Sequence, residues 1–156
     1  MPKLVYEQNT KVHWLTTIAD IAAPTLTEIT AGTNLTPFIT KDGVARNIAT
    51  NNVDSASIDT NFDSQEVGSW GAGFQLTMFR DDGDEAESYD LVVYGTRGFL
   101  VVCPFGEPAV ADQVEVYPAA LHEPAPQNSA ANAMQTFMVN CAITDKPNLR
   151  AVVAGP

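Results

Sequence analysis

Two histidines, His13 and His122, and two cysteines, Cys103 and Cys141, are the side chains of this chain best suited to proton transfer, metal ligation or nucleophilic attack. His122 stands next to Glu123, a base beside a carboxylate, but no nucleophile lies at a defined spacing, and the pair reads as a surface or contact feature. The acidic run from Arg80 to Asp90, RDDGDEAESYD, has the composition of a calcium loop without its ordered ligand spacing or its closing bidentate Glu. It reads instead as a turn leading into a negatively charged helix start. There is no C-x-x-C, no H-E-x-x-H, no phosphate loop and no nucleophile elbow. The expectation is therefore no catalytic set, no cofactor and no metal site, in a protein that is not an enzyme.

Both cysteines sit in apolar strand-like runs, and Met1 to Lys11 is polar without the apolar stretch of an export signal. Buried free thiols are expected rather than a disulfide. The Asn34-Leu35-Thr36 sequon is discounted on the same ground. Net charge is −11, and of only eight Lys and Arg, just Arg80 and Arg97 lie between Arg46 and Lys146. Phosphate-backbone binding needs clustered cations, so nucleic-acid affinity is not expected, nor attraction to an anionic membrane surface. No apolar run approaches the ~18–20 residues of a membrane-spanning helix. Charged residues make up only 17% of the chain, so its surface must be covered by neutral polar residues or by neighbouring subunits.

The elements that position these residues are short and punctuated by Gly, Pro and Asn, a mainly β pattern. Lys11 to Ile18 reads as a strand. Thr25 and Glu28 have capping-box spacing, between Pro24 and Gly32, and predict a turn or two of helix. Thr33 to Asn52 reads as loop. Val53 to Phe62 alternates, with Ser55, Ser57 and Asp59 on a polar face. Asp63 to Gly71 reads as a polar loop; its Trp70 is a packed hinge residue, a ligand platform or an aromatic anchor at a subunit contact. Ala72 to Arg80 alternates with Gln75 and Thr77 outward. Asp81 to Gly95 predicts a helix, with acids in its first turn and Gly95 at its end. Phe99 to Phe105 is a buried strand. Asp112 to Pro118 presents Gln113 and Glu115, and Met134 to Thr144 presents Thr136 and Asn140. The segment Glu123 to Asn132 is a loop. The tail from Lys146 to Pro156 reads as an arm that packs only on a neighbour. The fold class is mainly β: a β-sandwich or half-barrel with one flanking α-helix, in one domain over residues 1–156, with a loop-rich region at about 20–52 and a C-terminal arm at about 146–156.

A resemblance adds to this reading. The order from Val53 to Val102 is a strand ending near Ile58-Asp59-Thr60, a polar loop with Glu66 and Gly68, a GFQLTMFRDD strand, an acidic turn, a short helix and the return strand Gly98 to Cys103. With the late segments QVEVYPAALHE and MQTFMVNCAITDKPN, it resembles the major tail tube proteins of long-tailed, siphovirus-type bacteriophages. The resemblance spans roughly Val53 to Asn148. It implies a virion structural protein that polymerises as stacked rings, six subunits each, with four strands per subunit lining an inner β-barrel. Those strands would be Val53–Phe62, Ala72–Arg80, Asp112–Leu121 and Met134–Thr144.

The lumen-facing candidates are then Ser55, Ser57, Asp59, Gln75, Thr77, Gln113, Glu115, Thr136 and Asn140; the subunit- and ring-contact candidates are Glu66, Trp70, Lys146 and Arg150. None of the lumen candidates is cationic. The implied partners are further copies of the chain, a tape measure protein, and tail tip and terminator proteins. DNA would pass through without specific binding, no membrane would be involved, and assembly would take place in the bacterial host cytoplasm. Two rivals are kept: another virion ring or decoration protein (tail terminator or head decoration), and a carbohydrate-binding β-sandwich module that stacks sugars on Trp14 or Trp70.

Overall fold

A computed structural model describes residues 2–6, 8–81, 88–127 and 130–156. Among these, nine strands join one antiparallel sheet. In chain order they are β1 (Lys11–Leu15), β2 (Thr33–Asn34), β3 (Ile39–Asp54), β4 (Gln65–Phe79), β5 (Arg97–Cys103), β6 (Gln113–Leu121), β7 (Ala125–Pro126), β8 (Thr136–Ile143) and β9 (Asn148–Val152). The main path runs β2-β1-β5-β6-β8-β4-β3, with β9 pairing β6 and β7 pairing β8. One α-helix, α1 (Leu26–Ala31), and two 3-10 turns, Thr36–Phe38 and Ser88–Leu91, complete the described elements. The mainly β fold with one helix is as the sequence implied, but among the described residues the α-helix is the capped turn after Thr25, not the segment read as the flanking helix.

The sheet curls around one core and leaves a second outside it. Val12, Trp14, Phe74, Leu76, Met78, Leu100, Val102, Tyr117, Phe137 and Val139 fill the interior. On the other side of β1, β5 and β6, Leu15, Val101, Cys103, Val114 and Val116 pack with Ile29 of α1 and with Ala151 and Val153. Hence β5 is buried on both faces, which is why its sequence is an unbroken apolar run without alternation. Both cysteines are buried free thiols. Burial, with no positive group to offset it, pushes the thiol of Cys141 up to about 12; burial and the nearby carboxylates of Glu107 and Asp112 do the same for Cys103.

Helix α1 forms where the capping box places it. The Glu28 amide donates to the Thr25 hydroxyl (3.2 Å), and the Thr25 amide donates back to the Glu28 carboxylate (2.9 Å). The second Glu28 oxygen accepts from the Ala19 amide at 2.9 Å, so one side chain ties the helix to the preceding loop. These backbone donors, Thr25 first, hold the Glu28 carboxyl below its usual range.

Four expectations are corrected. The strand read at Val53–Phe62 is not there: the pairing strand is β3, which occupies most of the segment read as loop, and residues 55–64 connect it to β4. The polar loop read at Asp63–Gly71 is instead the first half of β4. The C-terminal arm does not wait for a neighbour: β9 pairs with β6, and the Ala154 amide donates to the Pro24 carbonyl at 2.9 Å, while Ala151 and Val153 are buried. Residues 82–87 of the helix read at Asp81–Gly95 lie outside the described residues; the rest forms the 3-10 turn Ser88–Leu91, not an α-helix. Gly95 does take the left-handed conformation, at φ 78°. The turn caps the interior core: Tyr89 meets Phe137 edge-on at 5.1 Å, and the Arg80 guanidinium lies 4.5 Å over the Tyr89 ring.

Candidate functional site

The register of β4 and β8 sorts the polar candidates onto faces. Cross-strand partners share a face, and alternate residues change face. Leu76 pairs Val139 and Met78 pairs Phe137, toward the core; Gln75 pairs Asn140, Thr77 pairs Met138 and Phe79 pairs Thr136, away from it. Gln75, Thr77, Thr136 and Asn140 therefore form one outward polar patch, extended by Ala45 of β3 opposite Gln75. The Gln75 amide donates to Asn140 Oδ1 at 2.9 Å and also contacts the Met138 sulfur, so the patch is internally bonded. Strands β4, β6 and β8 contain no Lys or Arg.

Gln113 and Glu115 do not join this patch. Glu115 pairs Val102 and Tyr117 pairs Leu100, so both point to the interior side of β6. At the open end of that interior, Glu115 forms an ion pair with Arg46 of β3 and accepts a hydrogen bond from the Tyr117 hydroxyl at 2.9 Å. Arg46 pairs Phe74 and shares its inward face, and Phe74 meets Tyr117 edge-on at 5.0 Å. Burial, then the Glu115 carboxylate, raises the Tyr117 phenol well above its ordinary value. Sequence reasoning missed Arg46 because its segment read as loop. An ion pair between residues 69 apart leaves no local signature.

Ser55, Ser57 and Asp59 lie in the connection between β3 and β4, off any strand face. That connection is held by its own short polar bonds. The Ala56 amide donates to Asp54 Oδ1 (2.9 Å), the Phe62 amide to the Thr60 hydroxyl (3.2 Å), and the Ser57 hydroxyl to Asp59. The β3–β4 ladder carries this tip beyond the sheet, since β8 pairs β4 only over residues 74–79. Ile58 is fully exposed (106%) and Phe62 nearly so (72%). Both are large apolar side chains whose exposure the alternating pattern did not anticipate.

Of the contact candidates, Trp70, Lys146 and Arg150 line one surface hollow of about 620 Å³, together with Ile21 and Leu149. Trp70 is only 38% exposed, with its neighbour across the ladder at Thr50. Glu66 stands apart on the projecting ladder opposite Val53, exposed. Among the described residues no cluster of three or more His, Cys, Asp or Glu is placed to hold a metal ion, and no helix is long and apolar enough to cross a membrane.

The profile of the family described as "Phage tail tube protein" matches residues 1–156, the whole chain. The chain belongs to the phage tail tube protein family. It is thus a structural component of the virion, a tube protein that assembles into multi-subunit tail structures, in a family whose role is architectural rather than enzymatic. A search of curated proteins finds no match. Among solved structures, a chain of the "anti-feeding prophage (AFP) baseplate, 6-fold symmetrised" is similar at a TM-score of 0.58 and 12% identity, over 97% of this tube protein and 99% of that chain. At that identity the likeness speaks to the fold.

Proposed function

We propose that this tube protein forms stacked six-membered rings whose inner wall is built from the outward faces of β8, β4 and β3 with the adjoining end of β6. The observation that carries this reading is the patch Gln75, Thr77, Thr136 and Asn140: outward-facing, half-buried save for the exposed Asn140, polar, uncharged and set on strands without a cation. A wall of amides and hydroxyls, with Met138 and Phe79 among them, offers phosphate no cation to grip, because counterion release requires Lys or Arg. DNA passes along it without specific binding, and the tape measure protein occupies it beforehand. Strand β3 ends the main path of the sheet, so its outer edge is available for pairing with a strand of the next subunit, which closes the barrel and protects the edge. The six-fold symmetry of the similar baseplate structure supports the ring number. The chain performs no catalysis in this role. It is assembled in the bacterial cytoplasm between tail tip and terminator proteins.

The reading places Gln113 and Glu115 outside the wall, and Ser55, Ser57 and Asp59 at a contact between copies rather than in the bore. Electron microscopy of the purified chain at rising concentration, with and without a tail-tip nucleator, tests it. Rings or tubes with a central channel are expected. A monodisperse monomer under all these conditions overturns it.

A further inference from the structure

The chain has eight Lys and Arg against nineteen Asp and Glu. Lys11 pairs with Glu107, Arg46 pairs with Glu115, and Arg80 lies over the Tyr89 ring. Lys146 and Arg150 are exposed and form no ion pair among the described residues, yet both line the hollow of about 620 Å³ beside Trp70. Ile21, Leu149 and the Trp70 ring give this hollow an apolar side, and Asn148 and a single acid, Asp145, complete its polar side. Its volume is that of a ligand site. A second hollow of about 420 Å³ continues it past Trp70 along Ala72 and Ile143. The sheet holds the hollow in shape. Trp70 is fixed on the β3–β4 ladder opposite Thr50, and β9 is paired along β6. In the turn between β8 and β9, Pro147 is buried and the Thr144 amide donates to the Pro118 carbonyl at 3.0 Å.

We propose that this hollow binds an acidic saccharide of the uronic-acid type. One sugar ring packs its C–H face on Trp70, its carboxylate meets Arg150 and Lys146, and its hydroxyls bond to Asp145 and the Asn148 amide. Asp145 selects the ligand class. An ionised carboxylate only accepts hydrogen bonds, so a polyanion that brings no hydroxyl is repelled there, whereas a sugar hydroxyl donates to it. An added peptide strand is disfavoured on other grounds: the Arg150 amide already donates to Asn148 Oδ1 at 3.0 Å, so β9 offers it no donor at that position. Alternation along β4 puts Trp70 on the face opposite Gln75 and Thr77. In the tube reading the site therefore lies behind the wall and not in the bore, and the capacity is additional to conduction. Repeated on every copy, it holds a long acidic polysaccharide at many points, so a weak single site suffices.

The test uses the full chain with trigalacturonate as the probe, maltotriose as the uncharged trisaccharide and hexaglutamate as the acidic peptide. Binding to unassembled protein is read by tryptophan fluorescence. Trp14 is buried (9% exposed), so a ligand-dependent change reports Trp70. A saturable change with trigalacturonate is expected, with at least tenfold weaker binding of maltotriose and of hexaglutamate. Lys146→Gln with Arg150→Gln is expected to lower trigalacturonate affinity at least tenfold and to flatten its salt dependence. By calorimetry, Trp70→Ala should abolish binding and Trp70→Phe should retain part of it, with unchanged Trp14 emission showing an intact fold. Absence of a saturable trigalacturonate signal, or equal affinity for maltotriose, overturns the proposal. Tighter binding of hexaglutamate also overturns it and assigns the hollow to an acidic peptide. Binding that vanishes when the chain is assembled makes the hollow a contact between copies and overturns its use on the tube. None of these outcomes touches whether the chain forms tubes, which electron microscopy decides separately.

Discussion

The Arg46–Glu115–Tyr117 group shows how a strongly acidic chain uses one of its few cations. Arg46 and Glu115 keep about a third and a quarter of their side-chain surface exposed, so the pair is neither a loose surface contact nor a sealed ion pair. Its place at the end of the interior core, on strands far apart in sequence, makes it a latch between β3 and β6. Arg46→Ala leaves Glu115 with the Tyr117 hydroxyl as its remaining partner there, and about 1 kcal/mol of stability loss is expected in urea titration. A smaller loss from Arg46→Ala in a Glu115→Ala background would locate the effect in the pair. His13 is the opposite case: it is 95% buried (5% exposed) on β1, and neither ring nitrogen has a hydrogen-bond partner among the described residues. Burial lowers its pKa; Glu107 opposes this and Lys11 adds to it. A group whose folded pKa lies below its unfolded value of 6.5 stabilises the fold above pH 6.5, and that stability is lost as pH falls below it. The melting temperature is therefore expected to drop between pH 7 and pH 5, and His13→Leu to flatten that drop. An equal drop in the variant would assign the acid sensitivity to the carboxylates instead. The sequence showed His13 as a histidine in a strand, but its unpartnered burial is a property of tertiary packing, where β1 lies between β2 and β5.

At the scale of elements, legibility followed the source of each signal. The capping box is local, and Thr25 and Glu28 gave α1 its place before any tertiary contact was known. Thr25→Ala is expected to cost about 1 kcal/mol through the lost helix cap, with the shift in the urea midpoint as the measure. Strands β4 and β8 were legible where they face the core, because Phe74, Leu76 and Met78, and Phe137, Val139 and Cys141, alternate with polar residues. The long hairpin was not. From Arg46 to Asp54, β3 is exposed at every residue, so no core imposes a period of two on it, while the irregular segment 55–64 happens to alternate. Strand β9 was missed for a related reason. It follows Pro147 and has only Ala151 buried within it, too short a pattern to distinguish from a tail. A residue's parity is meaningful only if its strand is real, so Ser55, Ser57 and Asp59 lost their assigned face with the strand, while Gln75, Thr77, Thr136 and Asn140 kept theirs.

For the molecule as a whole, the polar patch and the hairpin are two different kinds of surface. The patch is part of the rigid sheet, its amides bonded to each other and its backs packed on Leu76, Val139 and Phe137, so it offers a fixed wall. The hairpin extends beyond that sheet and reaches outward with exposed apolar side chains. Carboxylates gather on the hairpin tip, between Asp54 and Glu66, while the patch itself is neutral. Passage along such a wall depends on the lack of cations more than on repulsion, since repulsion from exposed charge is screened within about 8–10 Å at physiological salt. Adding cations is thus the informative change. Gln75→Lys with Asn140→Lys would place two positive charges per copy on the wall, repeated around every ring. Both sites are partly or fully exposed, so the fold and the tube diameter in electron micrographs are expected to persist. Short duplex DNA should then co-sediment with the variant tubes at low salt and be released as salt rises, with the steep log–log dependence of phosphate neutralisation, while unaltered tubes retain none. Variant tubes that still ignore DNA would place Gln75 and Asn140 in a contact between subunits, out of reach of the duplex, and remove them from the wall.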